Sequence, residues 1–139
     1  MKKKDSYKKW AHLINKLYAL SIIIDGLAKD LSRKDISESA KKLRRTGVDG
    51  TAVEEAFGQF ADDVEAELLK FQINNEILMY NLCYCSYTLA SKIESTFRTI
   101  DPFFNFYQWA EIKELKAYSE GKTDKEVLEI INISLKKFL

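Results

Sequence analysis

Apolar and small residues recur at Val53, Phe57, Phe60, Val64, Leu68, Phe71, Leu78, Leu82, Cys85, Leu89, Ile93 and Phe97. Asn75 fills the one gap in the series. The mean step is about 3.67 residues, which is helical and nearer a straight helix than a left-handed coiled coil. Thr51-Ala52-Val53-Glu54 is a capping box and marks the start. The pattern predicts one long helix over 51–97, with a kink expected at Asn74-Asn75. Asn has modest helix propensity and its side chain competes for backbone hydrogen bonds. The first half of the run is one-sided. From Ile73 onward a second apolar stripe joins it at Ile73, Ile77, Tyr80, Tyr84 and Tyr87. A helix apolar on two faces is covered on two sides, so this half is expected in the core or at a subunit interface.

Other elements follow the same logic. Trp10, Leu13, Leu17, Leu20, Ile24, Leu27 and Leu31 alternate steps of three and four, and Ile14, Tyr18, Ile22 and Ile23 widen the stripe. That is a bundle helix of about 26 residues, opened by Asp5 or Ser6 and weakest at Asp25-Gly26. A short helix is expected from Asp35-Ile36-Ser37-Glu38, with Ile36, Ala40 and Leu43 as its stripe and Gly47 as its stop. Asp101-Pro102 opens a fourth helix that ends before Gly121. Thr123-Asp124-Lys125-Glu126 is a further capping box and opens the last. The pattern predicts an all-α bundle of about five helices in one domain, 1–139. Residues 1–4 form a frayed tail and 101–139 a C-terminal helical pair.

Composition agrees and adds an asymmetry. The 139 residues are 46% hydrophobic and 31% charged, with one proline and five glycines. Net charge is only +1, yet residues 1–45 carry 13 Lys/Arg against 5 Asp/Glu, and residues 46–69 carry 7 acidic residues and no basic one. The two cysteines, Cys83 and Cys85, point to nearly opposite sides of a helix and cannot pair with each other. Without a disulfide framework, a reducing cytoplasm is the expected location. No apolar run reaches the ~18 residues of a membrane span, so no membrane partner is expected. The Lys-rich start and the run Leu17–Ile24 lack a cleavage site, which argues against a signal peptide.

The candidate chemistry is sparse. Gly121-Lys122-Thr123 resembles the end of a phosphate-binding loop, but Lys116 stands where the motif needs its other glycine. A glycine helix stop followed by a threonine cap explains the three residues. His12 is the only histidine, so no zinc site is expected. No serine or cysteine has a base partner in view. No cofactor, metal ion or catalytic residue is therefore expected, and the chain reads as non-enzymatic. The aromatic group from Phe97 to Trp109 reads as core. The basic residues Arg33, Lys34, Lys41, Lys42, Arg44 and Arg45 could grip phosphates on nucleic acid. Antiparallel packing would instead set them against the acidic start of the long helix.

The segment from Glu111 to Leu139, with Gly121-Lys122-Thr123, Lys125-Glu126-Val127 and Asn132-Ile133-Ser134, resembles the helix-turn-helix of phage small terminase subunits, transposases and response-regulator output domains. The resemblance implies a turn ending at Ser134 and a recognition helix after it, offering Lys136 and Lys137 to DNA. It departs from the pattern at Leu128, where a small residue is the norm. Lys136 and Lys137 suit phosphates better than bases. Phe138 and Leu139 are expected to tuck against Leu115, Val127 or Ile131. The function expected from the whole chain is a small assembly or adaptor protein. It would form a homo-oligomer through Tyr80, Tyr84 and Tyr87 and dock a protein partner. DNA or RNA binding by the basic residues or the C-terminal segment is the alternative.

Overall fold

The computed structural model describes the backbone of residues 2–44, 51–103 and 109–138, and the side chains of 12–44, 58–103 and 109–138. Six helices and no strand lie among them: α1 (Lys2–Asp30), α2 (Lys34–Leu43), α3 (Thr51–Leu69), α4 (Asn75–Arg98), α5 (Trp109–Ser119) and α6 (Lys125–Lys136). The all-α expectation holds. α1 packs on α2, α3 and α4, while α4 packs on α1, α5 and α6. The α2–α5 and α3–α6 contacts close a ring around this central pair. Leu17, Leu20 and Ile24 of α1 meet a core that includes Met79, Leu82 and Ile93 of α4, all 2% exposed or less. Each fully buried side chain of this size contributes about 1.5–3 kcal/mol.

The run 51–97 is two helices, not one. α3 ends at Leu69, and Gln72 then adopts a left-handed φ of 50°. Asn74 is extended, and its side-chain oxygen accepts the N–H groups of Glu76 at 2.8 Å and Ile77 at 3.4 Å. The property that suggested a kink goes further here. The Asn74 carboxamide captures the backbone donors outright and starts a new helix. Phe71, placed in the buried stripe by its spacing, sits on the turn and is 40% exposed.

The other ends differ from expectation in detail. α1 begins at Lys2, so Asp5 and Ser6 lie inside it, and it continues through Asp25 and Gly26. It ends in a Schellman motif built on Ser32 at φ 57°, with Arg33 N–H on Ala28 O at 2.7 Å and Ser32 N–H on Lys29 O at 3.1 Å. α2 starts at Lys34 with Arg33 at the cap position, so Asp35 falls within the first turn. Asp101 accepts the Phe103 N–H at 3.0 Å in a turn, and the described helix begins at Trp109. Gly121, at φ 72°, follows α5 as expected. Asp124, not Thr123, caps α6 by accepting the Val127 N–H at 3.0 Å. Thr123 instead donates to Ser119 O at 3.0 Å. Arg45, Gly47, Phe104, Phe106, Tyr107, Leu139 and the Thr51 side chain lie outside the described residues.

Asn74→Ala should destabilise the protein by about 0.5–2 kcal/mol in urea unfolding, because the first turn of α4 loses its acceptor. Gln72→Gly should stabilise it, because an L-residue in the left-handed region carries strain of roughly 1–2 kcal/mol that glycine lacks.

Candidate functional site

Three groups of residues raised by the sequence lie at different places on the fold. The first is the second stripe of α4. Tyr80 is 5% exposed and belongs to the interior of this chain. Its hydroxyl accepts from Arg33 Nη1 at 2.6 Å and Lys122 Nζ at 3.3 Å. Both cations also lie over its ring, at 5.9 and 4.6 Å from the centroid. Tyr87 is half-buried and stacks on Trp109 at 5.9 Å, and Lys116 Nζ lies 4.7 Å from its ring centroid. Tyr84 and Ile77 are each 38% exposed. They are seven residues apart, so they share one face of α4 with Thr88 and Ser95. Leu69, 62% exposed, and Phe71 add apolar surface at the α3–α4 turn.

The second group is the basic run. Arg33 forms a double hydrogen bond with Asp35, at 3.2 and 3.0 Å, and is stacked by Tyr118 as well as Tyr80. The hydrogen bonds to Asp35 raise the Arg33 pKa, and the same bonds lower that of Asp35. Desolvation raises the Tyr118 hydroxyl. Arg44 Nη2 reaches Asp25 at 3.0 Å. Asp25 is 4% exposed, and also accepts from Ser37 Oγ at 2.5 Å and pairs with Lys29 at 3.5 Å. A buried carboxylate is tolerated when surrounded by donors in this way, and here the donors tie α2 to α1. Among the described residues, the basic run's ion pairs therefore go to Asp35 and Asp25, not to the acidic face of α3. Glu67 of α3 pairs instead with Lys137 at 2.6 Å and Lys70 at 3.0 Å, and these bonds lower its pKa. Lys34, Lys41 and Lys42 remain exposed. Lys29, Arg33, Lys34 and Lys41, with Ser32, Ser37 and Ala28, line a hollow of about 400 Å³ between α1 and α2.

The third group is the C-terminal segment. The helix-turn-helix resemblance places a turn at Asn132-Ile133-Ser134, and these residues lie within α6. Ser134 and Leu135 are buried, Lys136 is exposed, and Lys137 is held by Glu67. Phe138 packs against the core, and its ring meets Phe60 of α3 edge-on at 5.6 Å, a contact the sequence reading did not name. The long-range return of α6 to α3 left no signal in the local pattern.

Cys83 and Cys85 are buried free thiols, and burial pushes both up to about 12. No group of three His, Cys, Asp or Glu among the described residues is placed to hold a metal ion. No described helix is long and apolar enough to cross a membrane. No protein-family profile matches the chain, and neither a characterised protein nor a solved structure shows significant similarity to it.

The thiol geometry makes a direct prediction. A thiol-specific reagent at about pH 8 should label the native protein slowly, and both cysteines should react in denaturant, because only the exposed thiolate is nucleophilic. The ordinary value of 9.0 is raised to about 12, so the folded state holds its thiol protons longer than the unfolded chain. This contribution to stability is fully present below pH 9 and declines as pH rises toward 12. Fast labelling of the native protein would contradict it.

Proposed function

We propose that this protein is a small, non-enzymatic helical assembly or adaptor protein that self-associates through the outer face of α4 and so presents its remaining surface to a macromolecular partner. The observation that carries this reading is the pair Ile77 and Tyr84, both 38% exposed on one face of the central helix. Leu69 and Phe71 are further exposed apolar side chains at the α3–α4 turn. The intended occupant is a second copy, since an α4 face against its symmetry mate sets like apolar side chains together across a two-fold axis. Tyr80 and Tyr87 support the face from behind, by fixing the α4 backbone to Arg33, Lys122 and Trp109. The two buried free thiols support a cytoplasmic location.

A second reading, nucleic-acid binding, is favoured by the basic hollow of α1 and α2. Lys34 and Lys41 line it as exposed cations and Lys42 is a further exposed cation of α2, whereas Arg33, Arg44 and Lys137 are held in the fold. Any such binding would be salt-dependent and nearly independent of sequence.

Sedimentation or light scattering at micromolar concentration should show a dimer or larger species for the wild type. Tyr84→Glu should shift it toward the 16.1 kDa monomer, because an unpaired charge at an apolar interface is costly. A monomeric wild type overturns the reading. Sub-micromolar affinity for DNA or RNA at about 0.15 M salt, lost when Lys34, Lys41 and Lys42 are changed to Glu, would favour the second reading instead. That variant leaves Arg33 and Arg44 in place, so its fold should be intact.

A further inference from the structure

The hollow of about 400 Å³ between α1 and α2 is made by one turn of the chain. Ser32 stands at φ 57° and the Arg33 N–H bonds Ala28 O at 2.7 Å, so the chain reverses there and α2 packs on α1. Spacings of three and four put Lys34, Ser37 and Lys41 on one face of α2, and all three line the hollow. Ala28 has no exposed surface and Ser37 is 4% exposed, so these two form its floor. Lys29 borders it from α1, and Ser32 and Arg33 border it from the turn. A space of this size suits a small molecule.

The charge around it is one-sided. Among the described residues, no carboxylate lines the hollow. The carboxylates bonded to its walls already have cations. Asp25, which accepts from Ser37, pairs with Arg44 and Lys29, and Asp35 takes the guanidinium of Arg33. Lys34 and Lys41 are exposed and make no ion pair among the described residues. Two ammonium groups thus border one hollow without a counter-charge. Their Cα atoms are two helical turns apart, about 10 Å, and their flexible four-carbon stems let both reach one ligand. The cap residue Arg33 gives the first turn of α2 no side-chain acceptor, so the positive end of that helix adds to the field.

We propose that this hollow binds a small organic phosphate monoester, its phosphoryl group between Lys34 and Lys41 and an apolar body on Ala28 and the lysine stems. A phosphate monoester carries close to two negative charges at neutral pH, which match the two uncompensated ammonium groups. A carboxylate would leave one of them unmatched. Lysine serves a phosphate as a point charge and needs no planar partner. A bare phosphate ion would leave much of the hollow unfilled, whereas Ala28 and the methylene stems offer apolar surface to the rest of a larger ligand. Nucleic acid draws its affinity from many phosphates neutralised along a line, and two free cations at one hollow supply little of that. The site uses none of the α4 residues assigned to self-association, so it stands or falls separately from that reading.

Titration of the isotope-labelled full chain with phenyl phosphate at fixed ionic strength, followed by amide chemical shifts, tests it. We expect saturable binding of one ligand per chain, with the largest shifts at Ser32, Lys34, Ser37 and Lys41. Inorganic phosphate and benzoate should each bind several-fold more weakly. Lys34→Ala and Lys41→Ala remove exposed side chains, so both variants should fold normally and each should weaken binding several-fold. Lys42→Ala removes an exposed cation of the same helix that does not line the hollow, and should leave the affinity unchanged. Lowering the pH from about 7.5 to about 5 protonates the phosphoryl group once and should weaken binding several-fold. Shifts that do not saturate overturn the proposal, as does an equal loss of affinity in all three variants. A DNA oligonucleotide without terminal phosphates that moves the same amides and binds more tightly also overturns it.

Discussion

A helix that is apolar around more than half its circumference is stable only between other helices. Both α1 and α4 meet that description, and each supplies the other's largest contact. Ala19, Leu20, Ile24 and Ala28 along α1 and Met79, Leu82, Cys83 and Ala90 along α4 have no exposed surface. The small residues among them let the two backbones come close, and the large ones fill the space between. α2 and α5 then cover one side of this pair, and α3 and α6 the other. The break at Lys70–Asn74 is a consequence of the same constraint. A continuous helix through 51–97 would run past α4's partners and leave Val64 and Leu68 without a core. Folding back at Gln72 lets α3 bury both, at 1% exposed.

Polar ties fix the arrangement where apolar packing alone is permissive. Asp25 links α1 to α2 through Ser37 and Arg44. Arg33 and Lys122 converge on Tyr80 from the α1–α2 turn and the α5–α6 turn. Ser39 donates to Glu114 at 2.7 Å and joins α2 to α5. Lys137 and Phe138 return the end of the chain to Glu67 and Phe60 of α3. Several of these ties engage a cation or an aromatic ring. The residues left for partners are therefore fewer than the composition suggests. Lys34, Lys41 and Lys42 remain on the basic side, and Ile77 and Tyr84 on α4.

The sequence by itself determined the helical class, because the spacing of apolar residues along 13–31 and 78–93 matches what is buried. It also determined the stop at Gly121 and marked Asn74-Asn75 as a weak point, though as a kink within one helix and not as the break between two. These are local properties, set by side-chain period and by competition for the backbone donors within a turn. It placed Tyr80, Tyr84 and Tyr87 on one broad flank of α4, but could not rank them. Only the tertiary structure decided that Arg33 and Lys122 bind the Tyr80 hydroxyl in the interior while Tyr84 stays 38% exposed. Likewise the basic run carried its charge in plain view, yet which cations are held by Asp25 and Asp35 depended on how α2 docks on α1. Period and propensity act over a few residues, whereas charge environment and exposure are sums over all the neighbours that the fold supplies.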